Sequence, residues 1–140
     1  MSEVEIYNNL NNSLIATGLF FIGWSFLVWV AGRAVTIAIE NNAGIITKLV
    51  TTVFGLTAVW QFNNVLNFVP WNFAGAGHSL AILKNSGTEL SARSEAFLDM
   101  TGSTATEVQQ FTIIPSDPIV LIFILSALYL VVGRLWIGNK

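Results

Sequence analysis

Three stretches without Asp, Glu, Lys or Arg, residues 6–32, 49–83 and 118–133, run through this chain of 140 residues. A helix rising 1.5 Å per residue crosses the roughly 30 Å hydrocarbon core of a bilayer in about 20 residues. With their flanks, all three stretches meet that length. Composition agrees: charged residues are 10% of the chain and hydrophobic ones 54%, against about 25% charged in an average soluble protein. The expected fold is therefore an all-α integral membrane protein, a single membrane domain over 1–140 with three transmembrane helices.

The first helix is predicted over 14–39, its core carrying Phe20, Phe21, Trp24, Phe26 and Trp29. Arg33 follows that core, where its long stem can snorkel to the headgroups. Asn41-Asn42-Ala43-Gly44 is suited to close the helix with a left-handed cap. The second helix is predicted over 45–69, ending at Pro70, and the short turn before it makes the pair antiparallel. Thr51 and Gly55, four apart, suit close helix contact. The third is predicted over 118–137, opened by Ser116-Asp117-Pro118, a capping residue followed by proline at the first helical position.

Between the second and third helices lies an expected outer loop, 70–117, of roughly 48 residues. Its first part, 70–83, is apolar and rich in glycine, which suits an interfacial or re-entrant segment. A short amphipathic helix is expected over 88–100, with Leu90, Phe97 and Leu98 inward and a stop at Gly102. Thr104-x-x-Glu107 suits a further short capped turn, and 108–114 an extended segment.

Basic residues set the expected orientation. Arg33, Lys48, Arg134 and Lys140 fall on one side, and only Lys84 and Arg93 on the other. The richer side is expected to be cytoplasmic, which puts the N-terminus and the 70–117 loop outside or in a periplasm. Glu3 and Glu5, where a signal peptide would carry Lys or Arg, imply that the first apolar segment is retained.

Candidate chemistry is sparse. Zero cysteines remove disulfides, thiolate metal sites and cysteine nucleophiles. A net charge of −2 without a basic run argues against nucleic acid as a partner. His78 is the only histidine. Placed in a glycine-rich loop, it suits a surface residue, or a lone ligand completed by another chain. The acidic residues of the outer loop suit a solvated surface. Thr57, Gln61, Asn64 and Asn67, spaced four, three and three, form a polar face on the second helix. Amides in hydrocarbon need partners, so this face is expected to meet another helix, water or a ligand.

The size and three spans resemble the membrane anchor subunits of succinate dehydrogenase in architecture. The three-span, N-outside arrangement also resembles one class of phage holins. Neither resemblance assigns a residue here. No catalytic constellation is visible, so the chain is expected not to be an enzyme on its own. The leading expectation is a non-catalytic structural or accessory subunit of an oligomeric membrane complex, whose partners are other membrane subunits or copies of itself, and lipids. The alternatives are a small oligomeric pore, holin or transporter-like protein, and an electron-transfer anchor with ligands shared between chains. No cofactor is expected beyond lipid contacts.

Overall fold

The computed structural model describes residues 1–137. Lys140, one of the basic residues used for orientation, lies outside them. The described chain is helical: α1 (Glu3–Glu40), α2 (Ile45–Asn85), α3 (Ala92–Thr101) and α4 (Pro118–Leu128) are followed by a π-helical turn (Tyr129–Gly133) and α5 (Arg134–Ile137). Glu3–Glu40, Ile45–Asn85 and the continuous stretch Pro118–Ile137 are each long and apolar enough to cross a membrane.

Two of these helices outrun the lengths expected from sequence. α1 begins at Glu3 instead of near 14 because Ser2 and Glu5 form a reciprocal capping box. The Glu5 amide donates to Ser2 Oγ at 3.3 Å, and the Ser2 nitrogen donates to the Glu5 carboxylate at 2.7 Å. The Ser2 backbone bond also holds the Glu5 carboxyl below the usual range. α2 does not stop at Pro70 but runs through it to Asn85, so the outer loop over 70–117 is replaced by helix over its first third. Proline in a helix interior removes one hydrogen bond and costs about 3 kcal/mol. Burial offsets that cost: Ala76 and Leu80, four apart, are buried, Leu80 completely, and Phe73 and Leu83 pack beside them. The 70–83 segment is thus helix, continuous with the rest of α2.

The turn between α1 and α2 matches its expectation. Asn42 takes φ +49°, the Ala43 amide donates to the Ala38 carbonyl at 2.9 Å, and the Asn42 amide donates to Ile39 at 3.1 Å, which together satisfy the last carbonyls of α1. At the start of α4, Asp117 accepts from the Ile119 amide at 2.8 Å with Pro118 in the first turn.

The chain divides into two compact units. One comprises Met1–Gly18 and Asn67–Thr112. Its core is Ile6, Leu10, Ala76, Leu80 and Leu90, with Phe97 and Leu98 packed against it as expected. α3 is shorter than the predicted 88–100 and shifted later; Ser91 caps it and Gly102, at φ +61°, ends it. The Thr104 hydroxyl does accept from the Glu107 amide, although no helix follows, and 108–114 is irregular.

The other unit comprises Leu19–Leu66 and Ile113–Lys140. Ala31, Ala58, Val59, Phe62, Ile124, Ala127 and Val131 form its centre. Small residues let its helices approach closely. A Cβ added at Gly55 would lie 3.3 Å from both Cβ and the carbonyl oxygen of Val131, the close contact expected from the Thr51/Gly55 spacing. Trp136 Nε1 donates to Thr52 Oγ1 at 2.9 Å.

Candidate functional site

In the first unit, the N-terminus of α3 is held by the start of α1. The Glu3 carboxylate accepts from the Ser91 amide at 2.8 Å, the Ser91 hydroxyl at 2.6 Å and the Ser94 hydroxyl. Ser94 is fully buried and also bonds the Tyr7 hydroxyl at 3.1 Å. Arg93 lies over the Tyr7 ring, 5.3 Å from its centroid, and Lys84 pairs with Glu95. These are structural contacts, with an electrostatic consequence. The hydrogen bond from the Ser91 hydroxyl, then those from Ser94 and the Ser91 amide, hold the Glu3 carboxyl below the usual glutamate range.

A carboxyl with a lowered folded-state pKa contributes its stabilisation in full above the unfolded value, about 4.3, and loses it as pH falls through the lowered folded value. Hydrogen exchange of the α3 amides should therefore accelerate on acidification below about pH 4.3. In Glu3→Gln, exchange should already be faster at neutral pH and respond less to acid. An identical acid response in wild type and variant would remove Glu3 from this role.

His78 does not lie in a loop; it sits on α2, where its Nδ1 donates to the Thr104 carbonyl at 2.7 Å. A carbonyl can only accept, so the bond places a proton on Nδ1. Among the described residues no three His, Cys, Asp or Glu side chains come together as a metal site would need.

The four polar residues predicted on the second helix lie on the continuous α2 but differ in exposure. Thr57 is exposed, Gln61 and Asn64 are half-buried, and Asn67 is buried in the first unit. Asn64 Nδ2 donates to Gln61 Oε1 at 3.3 Å. The residue missed by sequence is Asn63, 6% exposed, whose Nδ2 donates to the Ile113 carbonyl at 2.8 Å. Because the nitrogen is committed to a carbonyl, the amide orientation is fixed and the Asn63 oxygen faces the other way. Among the described residues, that oxygen and the Asn64 Oδ1 are both enclosed without a hydrogen-bond donor.

Asn63 also borders an open, largely apolar groove of about 530 Å³ between α2 and α4, shared with Thr57, Trp60, Ile113, Leu121 and Ile124. The groove has apolar walls, one exposed hydroxyl and an underbonded amide at its edge. It offers packing and hydrogen bonding, and no nucleophile or acid–base pair. No protein-family model, characterised protein or solved structure matches the chain.

Proposed function

We propose that this chain is a multi-pass integral membrane protein acting as a non-catalytic structural or accessory subunit of an oligomeric complex. Its α2–α4 groove receives a helix from a partner subunit or a second copy. The observation that carries this is the open groove itself, apolar along Leu56, Val59, Trp60, Leu121 and Ile124, with the exposed Thr57 hydroxyl on its wall. An apolar face interrupted by a hydroxyl suits the packing and interhelical hydrogen bonding by which membrane helices associate.

Helix length supports the membrane placement. α1 and α2, with 38 and 41 residues, extend for about 57 and 61 Å, roughly twice a hydrocarbon core. The surplus is the portion that folds with α3 into a unit of its own. Many exposed residues of the remaining portions are large and apolar, among them Leu19, Phe20, Ile22, Phe26 and Trp29, as lipid contact requires. The basic residues Arg33, Lys48 and Arg134 support the reading in which the α1–α2 turn and α5 face the cytoplasm and α3 lies outside.

Thr57→Trp tests the assembly. The exposed Thr57 lines the groove without bonding Asn63, so an indole there fills the space and spares the Asn63–Ile113 bond. The variant should remain folded, while its oligomer or copurifying partner weakens on the order of tenfold or more in mild detergent, and neither form should conduct ions in vesicles. In the pore alternative, wild type leaks ions and Thr57→Trp closes the passage in a still-assembled oligomer. That outcome, or a monomeric wild type with nothing bound, would overturn the subunit proposal.

A further inference from the structure

The second unit brings two guanidinium-bearing residues to one place. Arg33, near the end of the apolar part of α1, and Arg134, at the start of α5, both line a groove of about 420 Å³ between α1 and the α4–α5 stretch. Among the described residues neither makes an ion pair; the one salt bridge is Lys84–Glu95. Below the arginines the walls are apolar, with Val28, Trp29, Phe123 and Leu130, and Trp29 is 64% exposed.

Two like charges gathered without a carboxylate are mutually destabilising unless an anion sits between them. Guanidinium forks match phosphate oxygens in geometry. The apolar walls continue from the charged end along the helices, as a chain attached to that phosphate would require. We propose that this groove is a binding site for an anionic phospholipid, its phosphate held by Arg33 and Arg134 and an acyl chain lying along Trp29, Phe123 and Leu130. The proposal rests on the membrane placement of α1 and α4. A lipid, not free phosphate, is the ligand, because the apolar walls account for most of the lining and inorganic phosphate would leave them uncovered.

Trp29 provides the readout. The full chain is reconstituted into phosphatidylcholine vesicles containing a small fraction of dibrominated phosphatidylglycerol or, separately, dibrominated phosphatidylcholine. The quenching that depends on Trp29 is isolated by subtracting Trp29→Phe. Basic residues at a membrane surface contribute about 1 kcal/mol each toward anionic lipid, so the two arginines should give the brominated anionic lipid a preference of roughly thirtyfold. The double variant Arg33→Gln, Arg134→Gln should lose that preference, whereas Lys48→Gln, which does not line the groove, should retain it. Millimolar inorganic phosphate should not compete. Equal quenching by both lipids, a preference that survives the double substitution, or displacement by inorganic phosphate would each overturn the lipid site. Failure of wild type to float with vesicles of either composition would instead overturn the membrane placement, and the lipid site with it.

Discussion

Gly77→Leu should unfold the unit formed by Met1–Gly18 and Asn67–Thr112. At Gly77 even a Cβ would lie 2.5 Å from Thr101 Oγ1 and Ser103 Oγ, and 2.8 Å from Ser103 Cβ. Those atoms have little freedom to retreat. Ser103 Oγ donates to the Ala74 carbonyl at 3.3 Å, and the Thr104 carbonyl next to it is held by His78. Overpacking a tight site costs about 1–3 kcal/mol. A leucine also displaces both anchors, so a loss of about 3 kcal/mol or more is expected, seen as a lower Tm and new protease cleavage after α3. Gly75 lies two residues away on the same helix with open space around it, and Gly75→Leu should be neutral or slightly stabilising through helix propensity. Equal stability of the two variants would refute the close contact at Gly77.

Gly55→Leu should have a comparable effect in the other unit. The atoms facing Gly55 are Cβ and the backbone oxygen of Val131, and Val131 is itself 1% exposed in the centre of the core. Unlike a side-chain tip, a helix backbone cannot rotate aside. The leucine should force the π-helical turn away from α2, break the Trp136–Thr52 hydrogen bond and shift Trp136 fluorescence, with a loss of about 2–4 kcal/mol. Gly23→Leu, where nothing lies within 4 Å, is the matching control. A normal Trp136 signal in Gly55→Leu would show that α2 and the π-helical turn are not packed this closely.

The two ends of α2 are unequally legible in the sequence. Its start follows a turn whose chemistry is local: an asparagine able to take positive φ, then small residues, close α1 within four positions. Its end depends on tertiary packing. Pro70 is a strong local stop signal, and only the burial of Ala76 and Leu80 against Ile6 and Leu10, more than sixty positions earlier in the chain, overrides it. Reading those segments separately hides their dependence. The start of α1 is local in nature, but it is obscured because Glu3 and Glu5 read as flanking charges, when Glu5 belongs to a capping box and Glu3 to the cap of α3.

The candidate site shows the same division. Periodicity picks out Thr57, Gln61, Asn64 and Asn67 as one polar stripe, and it is sound about their angular relation on an isolated helix. It omits Asn63, because the Ile113 carbonyl that this residue binds is fifty positions away and carries no side-chain signature. His78 reads as a loop residue only because the helix is taken to end at Pro70. By contrast, Gly55 is legible as a contact point, since close approach between helices is a matter of residue size at a fixed spacing.

The bonds from Glu3 to Ser91 and Ser94 also bear on the order in which the chain can acquire its structure. They join residues separated by 88 and 91 positions, so the carboxylate that completes the cap of α3 leaves the ribosome long before its partners exist. Until α3 has been synthesised, the first two turns of α1 lack the Tyr7–Phe97 contact and the Ser91 and Ser94 hydroxyls. Loop closure over such separations is slow relative to helix formation. During synthesis the N-terminal turns should therefore remain open to chaperones and proteases while the apolar part of α1 is already helical. The sequence separation of a single glutamate from its partners thus marks the N-terminal turns of α1 as a part of the first unit that becomes protected late, although it is synthesised first.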